Sequence, residues 1–311
     1  MANGSRHSMR YVVESTYGTT PSTPTLTPIR HTGTSLGLSK DTLQSEEIRS
    51  DRQIVDFRHG TRQVGGDINV ELSYGSSDDI LEAVLMGTWA NETPASGTDQ
   101  LKVGTTRRSF TIERQFEDLS SGNPFFVYTG CEFSALNVSV NTAAIVSATL
   151  TVVGKNQTTS ATEISGATVS AASTTTPFDG FSGAINEGGS TIAVVTSIDF
   201  TLDNAHNTKF VIGSNTTLQP SVGRSNVSGN VTAYFEDTTL LDKFISETDS
   251  SLDFTLVDLA GNQYKFYFPN IKYLGGQPDV SGEGPITISM PFQAVYDETS
   301  ETNFYIERTP A

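Results

Sequence analysis

The sequence predicts a mainly β chain: two duplicated antiparallel sandwich or half-barrel domains, each with one short flanking α-helix. Three observations carry this reading. The first is composition. Over 311 residues the charged fraction is 17% and the hydrophobic fraction 36%. Ser, Thr, Asn and Gly fill much of the rest, a mixture that suits many strands and polar loops and argues against a coiled coil. The second is the stretch Arg62 to Leu85, RQVGGDINVELSYGSSDDILEAVL. A strand with period-2 apolar residues gives way there to apolar residues spaced for a helix. The third is the echo of that stretch at Arg224 to Ile245, RSNVSGNVTAYFEDTTLLDKFI. Gly66 matches Gly229, an offset of 163 (229 less 66). Ile68, Val70 and Leu72 then fall on Val231, Ala233 and Phe235. After the turn Ile80, Leu81, Val84 and Leu85 meet Leu240, Leu241, Phe244 and Ile245. A change of period at the same place in two segments indicates internal duplication. Domains of roughly 150 residues agree with the chain length. The expected division is 1–154, a Ser/Thr-rich linker over 155–176, and 177–311.

Taken in order, Arg10 to Glu14 (RYVVE) is a strand, and the Pro- and Thr-rich Ser15 to Pro28 an extended connector. Ser35 to Asp41 opens the first sheet, and its echo is Ser197 to Asp203 with Leu38 opposite Leu202. Asp41 to Arg62 mixes charges closely and has no sustained period, so it reads as a long loop or hairpin leaving the domain body. Its charged residues Glu46, Glu47, Arg49, Asp51, Arg52, Asp56 and Arg58 suit a contact of defined register with a partner; surface ion pairs worth little each are the plainer reading. Gly65 and Gly66 mark a bulge or tight bend. Ser77 and Asp237 or Thr238 start the helices, with Asp78 and Asp79 favoured at the first N-terminus. Gly87 to Arg108 is a polar insertion; the second copy has only Ser246 to Ser251 there.

Strands follow at Phe110–Phe116, Pro124–Val140 and Thr142–Val153, with partners at Leu252–Val257, Gln263–Leu274 and Pro285–Val295. The Ser/Thr/Ala-rich segment after Lys155 reads as an extended linker or surface arm. Phe178 and Phe181 lead into the second sheet, Ser281 starts a turn, and Phe304, Tyr305 and Ile306 form a docking strip near the end.

Net charge is −16. That excludes nucleic-acid binding by phosphate neutralisation, which needs clustered Lys and Arg. It agrees with plain solubility, and equally with a surface that lets DNA pass without sticking. The single cysteine, Cys131, excludes an intrachain disulfide and reads as a small buried hydrophobe in a reducing compartment. No signal-peptide h-region and no run long enough for a bilayer are expected, so no membrane partner. His7, His31, His59 and His206 make no metal-ligand spacing, and no phosphate loop or nucleophile signature occurs. The pairs Glu46-Glu47 and Asp78-Asp79 read as solvation and capping. No catalytic residue, metal or cofactor is expected.

ESTYGTTP (Glu14 to Pro21), Thr32 to Trp89 as a whole, and SIDFTLDN (Ser197 to Asn204) resemble the major tail tube protein of long-tailed bacteriophages. The resemblance covers most of the chain and is most specific over Thr32 to Trp89. It implies a β-sandwich with a flanking helix, stacked rings around a DNA channel, no enzymatic activity, and assembly in the bacterial cytoplasm into the virion tail. Such rings have six β-domains around the channel. Two domains per chain then imply a trimeric ring with pseudo-sixfold symmetry; a hexameric ring with the second domain outside is the alternative. The polar strand faces, Asp67, Asn69 and Glu71 with Asn230, Thr232 and Tyr234, are expected to line the channel. The charged loop is expected to join ring to ring. The implied partners are further copies of the chain, a tape-measure protein, and transiting double-stranded DNA held without tight binding. A tail hub or terminator, or a capsid-decoration protein on a related β fold, are the rival readings.

Overall fold

The computed structural model describes residues 3–119, 122–180, 182–192, 194–278, 280 and 282–311. Phe181 and Ser281 lie outside the described residues. The first half contains β1 (His7–Glu14), β2 (Thr25–Pro28), β3 (His31–Thr34), β4 (Gly37–Gln44), β5 (Phe57–Glu71), α1 (Asp78–Leu85), β6 (Asp99–Lys102), β7 (Ser109–Phe116), β8 (Phe125–Asn141) and β9 (Ser147–Gly154). Then come β10 (Asn156–Ser160), β11 (Thr168–Val169), β12 (Ala184–Glu187), β13 (Ser190–Thr191), β14 (Val195–Asp203) and β15 (Asn226–Tyr234). The chain ends with α2 (Thr239–Ile245), β16 (Ser250–Val257), β17 (Gln263–Tyr273), β18 (Thr287–Ala294) and β19 (Tyr305–Thr309). The fold is mainly β, a sandwich of antiparallel layers.

One layer runs without a break through both halves. β3 and β4 pair with β5, β5 with β9, β9 with β8, β8 with β14, β14 with β15, and β15 with β18. The second layer has two parts, β1–β7–β8–β10 and β12–β16–β17–β19–β6. β8 is long enough to serve both layers: its start pairs with β7 and its end with β9 and β14. β17 does the same with β16 and β18.

The offset that aligns the two sequences also aligns the pairing. Gly66 faces Val152 and Gly229 faces Phe292; Ile68 faces Leu150 and Val231 faces Met290. Leu38 faces Val64 as Leu202 faces Val227. Both halves break register at the same place, Phe110/Ile112 against β8 and Ser250/Leu252 against β17. The aligned glycines have one use. A Cβ on Gly66 would lie 2.6 Å from the Ser35 carbonyl oxygen, and one on Gly229 would lie 2.5 Å from that of Asp199. Only glycine lets the neighbouring strand come so close.

Alternation then does the packing. Ile68, Val70, Leu72, Val231 and Ala233 are buried, as are Ala148, Leu150, Val152, Ile288, Met290 and Phe292 opposite them. In the second half Phe200, Phe254, Phe266, Phe268, Phe292 and Phe304 are all fully buried, and Phe200 lies 5.2 Å from Phe268 and 5.3 Å from Phe304. Burying each such ring contributes about 1.5–3 kcal/mol.

Several elements differ from the sequence reading. The two helices are not equally buried. Ile80, Leu81, Val84 and Leu85 are in the core, whereas Leu240, Leu241 and Phe244 are half-buried and Ile245 is 65% exposed. Ser77 makes no side-chain cap bond to α1; Asp237 does accept the Thr239 N–H at 2.8 Å. The polar insertion holds β6, which extends the second half's sheet by pairing with β19. Phe304 and Ile306 are therefore core residues, and no docking strip remains there. The 155–176 segment lies along the first half: β10 pairs with β8, and β11 runs parallel to β2. Residues 142–145 form a turn before β9.

Candidate functional site

Three surfaces stand out. The first is the outward face of the continuous layer. Asp67, Asn69, Glu71, Asn230, Thr232 and Tyr234 all lie on it, at positions alternating with the buried ones; Asn69 and Tyr234 are exposed and the other four half-buried. They are cross-linked to their neighbours. Thr151 Oγ1 donates to Asp67 at 2.8 Å, Thr149 Oγ1 to Asn69 at 3.0 Å, Ser289 Oγ to Asn230 at 2.8 Å, and Asn137 to Thr201 at 2.9 Å. Over 65–71, 135–141, 147–153, 197–203, 226–234 and 287–293, the strands of this face contain no Lys, Arg or His. They contain four carboxylates, Asp67, Glu71, Asp199 and Asp203. Sequence reading found β5 and β15; it missed that β8 and β14 join them into one face, because that pairing depends on contacts between the halves.

The second surface is the β4–β5 hairpin. Glu46, Glu47, Arg49, Asp51, Arg52 and Arg58 are exposed and Asp56 is half-buried. Arg49 pairs with Asp51 at 2.8 Å and Arg58 pairs with Asp56. The guanidinium hydrogen bonds hold both aspartates below the usual carboxylate range. These pairs join residues two apart along the chain and leave the apolar ones outward: Ile48 is 99% exposed, and Leu43, Ile54, Val55 and Phe57 are exposed too. Charge dominated the sequence reading here, and this apolar set was overlooked.

The third surface is the joint between the halves, with α1 inside it. Asp78 accepts from the Tyr264 hydroxyl and pairs with Arg308. Tyr264 in turn accepts the Gly75 N–H at 2.9 Å. Arg308 also meets Asp99 at 2.9 Å and lies 4.5 Å from the Trp89 ring centre. Nearby, the buried Glu132 receives Arg107 at 2.5 Å, Gln219 at 2.7 Å and His206 at 3.1 Å. Burial opposes its charge, yet the hydrogen bonds from His206, Arg107 and Gln219 hold its carboxyl below the ordinary range.

At the far edge of the first half is a hollow of about 330 Å³ lined by His7, His31, Thr34, Arg114 and Phe116 among others. Arg114 Nε donates to His7 Nε2 at 3.0 Å. His7 Nδ1 therefore donates to His31 Nε2 at 2.8 Å, and His31 Nδ1 to the Ile29 carbonyl at 3.2 Å. Burial, then Arg114 and His31, lowers the His7 pKa to about 4. Among the described residues no three His, Cys, Asp or Glu side chains come together as metal ligands. Cys131 is fully buried, and burial and Glu14 push its thiol well up, so it is a packing residue with little nucleophilic character. No described helix is long and apolar enough to cross a membrane.

A family model described as phage tail tube protein matches residues 4–294. No individual curated protein matches the chain. The match spans both halves, the polar face and the hairpin, and the chain belongs to the phage tail tube protein family.

Proposed function

We propose that the chain polymerises as stacked rings into the tube that conducts DNA from capsid to host, with the polar face of the continuous layer lining the channel. The carrying observation is the charge of the central part of that face: four carboxylates and no cation along 65–71, 135–141, 147–153, 197–203, 226–234 and 287–293, with Lys40, Arg58 and Arg62 beyond them toward the hairpin. Duplex DNA carries one charge per about 1.7 Å of axis. A wall without Lys or Arg gives it nothing to pair with, and scattered carboxylates repel it, so transit meets no sticking point. Asp67, Asn69, Glu71, Asn230, Thr232 and Tyr234 are then channel residues.

The halves 1–154 and 177–311 act as two tail-tube domains, connected in sequence by 155–176, which lies along the first half. Their matched registers support three chains per ring, in which six similar units alternate around the axis. The β4–β5 hairpin contacts the next ring through its charged residues and its bare Ile48, Ile54 and Phe57. The role is structural and requires no catalytic group. A tape-measure protein occupies the channel before DNA does, assembly takes place in the host cytoplasm, and the product is the virion tail.

Electron microscopy of the purified protein with threefold and sixfold averaging, alongside its mass in solution, tests this. Long hollow tubes with three chains per ring are expected. Six chains per ring would keep the tube and discard the trimer. A persistent monomer or single ring would favour a hub, a terminator or a capsid-decoration protein.

A further inference from the structure

The chain carries one joint between its halves, and its internal repeat leaves both faces of a second such joint bare. In the joint that is present, the end of β8 lies antiparallel along β14: Ala135 faces Asp203 and Asn141 faces Ser197. The end of β8 also covers the hollow lined by Ile185, Val195 and Ile198, leaving only about 20 Å³ beside Val140 and Asn141. On the same side α1 is buried.

Each part of that joint has a counterpart in the other half. The counterpart of β8 is β17, since Phe133 faces Val152 as Tyr273 faces Phe292. Beyond Tyr273 the chain continues in register for one more bond, Leu274 N–H to the Pro291 carbonyl at 2.8 Å. Its outer edge then has no strand beside it among the described residues. Leu274 is 60% exposed. α2, the counterpart of α1, is on this side with Ile245 bare. The counterpart of β14 is the β3–β4 edge, since Leu38 faces Val64 as Leu202 faces Val227. Among the described residues β3 and β4 pair with no strand but β5, which leaves their other edge open. The hollow beside that edge is the open one of about 330 Å³ under His7, His31 and Phe116.

We propose that these two bare faces bind each other between copies of the chain: Leu274–Pro278 adds antiparallel to the β3–β4 edge of the next copy, and the first half of that copy covers α2. This rests on the tail-tube reading and names its ring contact. The occupant is a second copy because the repeat supplies both halves of the joint, and an open strand edge accepts another strand. The contact is head-to-tail, so each copy uses one face of each kind and the array can close into a ring. Register sets the partners. Leu274 takes the place of Ala135 and Ser39 that of Asp203, so Leu274 of one copy lies opposite Ser39 of the next.

The test is a cysteine pair, Ser39→Cys with Leu274→Cys, in a Cys131→Ser chain. Both positions are at the surface, and each pairing joins two copies. After mild oxidation of assembled protein we expect a ladder of covalent oligomers on denaturing gels, ending at the number of chains per ring. Neither single variant should give it. Normal tubes with no ladder would overturn this contact and leave the tail-tube reading standing. Failure of the unmodified chain to assemble would overturn both. As a second arm, Ile245→Glu and Leu274→Arg change exposed side chains. Each should leave a folded monomer and raise the concentration needed for assembly at least tenfold; unchanged assembly in both would count against the contact.

Discussion

Asn204 donates its side-chain amide to the main-chain carbonyl of Val84 at 2.7 Å, tying the last turn of α1 to the residue that follows β14. The carbonyl would otherwise be one of the unpaired acceptors that every helix C-terminus leaves. Asn204 is buried, so water cannot replace it. Asn204→Ala should cost about 1–3 kcal/mol, the range for stranding a buried polar group. Asn204→Asp should cost more, because a carboxylate would face the negative end of the helix. Urea unfolding of both variants checks the order; equal midpoints for all three proteins would show that the bond contributes nothing.

Glu132 should make the fold acid-sensitive. Its carboxyl is held below the ordinary range in the folded chain, so the unfolded chain takes up the proton first. The stabilisation is complete above the unfolded carboxylate range and is lost as pH falls through the folded value. Glu132→Gln removes this dependence and takes the carboxylate from Arg107, His206 and Gln219, while Arg107 keeps the Pro220 carbonyl, a loss of about 1–3 kcal/mol at neutral pH. The denaturation midpoint of wild type should therefore fall more steeply than that of the variant as pH drops from neutral toward 3.

His7 acts in a higher window. Its folded pKa is lowered to about 4, from an ordinary 6.5. The unfolded chain thus binds a proton that the folded chain refuses, and stability declines as pH falls from 6.5 toward 4. Protonated His7 would turn an N–H toward the Arg114 guanidinium, which already donates there. In His7→Gln the slope between pH 7 and 5 should flatten. Histidine titration by NMR gives an independent reading, and a His7 resonance moving near pH 6.5 would contradict the lowered value.

Legibility in the sequence followed how local each cause is. The strand–helix change at 66–85 and 229–245 was readable because one face of each strand is buried, giving period 2, and the helix follows within a few residues. The match of Leu38 with Leu202 was readable for the same reason. β6 was not: DQLK is four residues in a polar insertion, and its partner Glu307 is far along the chain. β10 was hidden because NQTTS is half-exposed and has no apolar alternation. The exposure of Ile245 was unreadable, since its spacing is that of a core residue and only the absence of a neighbouring half leaves it bare. Of the candidate surfaces, the polar strand faces could be listed residue by residue from alternation alone. The hollow at His7 and His31 could not, because β1 and β3 approach only through the fold.

If the outward face of the continuous layer lines the channel as proposed, cations on it should slow DNA without harming the fold. Asn69 and Asn137 are exposed on that face, and each donor or acceptor they use is a neighbouring Thr at the surface. Asn69→Lys with Asn137→Lys should leave thermal stability within about 0.5 kcal/mol of wild type, as surface changes usually do. Tubes should form normally. Ejection from phage carrying the double variant should slow, more so at low salt, where screening is weakest. Ejection at the wild-type rate in low salt would argue that this face does not meet DNA.

On the proposed reading, the hairpin should separate folding from stacking. Its pairing with β9 ends at Val64 and the β4–β5 ladder runs out to Gln44 and Phe57; the residues beyond are held mainly by their own ion pairs and by Ser45 N–H to the Asp56 carbonyl at 3.0 Å. Fully exposed ion pairs add little to stability, and exposed Ile48, Ile54, Val55 and Phe57 lose nothing from the folded core when removed. Deleting residues 46 to 58 should therefore leave the unfolding midpoint nearly unchanged. It removes the charged register and the apolar side chains together, so rings should persist while long tubes disappear in electron micrographs. Replacing only Ile48, Ile54 and Phe57 with Ser keeps the charges and should give an intermediate effect, shorter tubes at equal protein concentration. Normal tubes from the deletion would assign stacking to another surface.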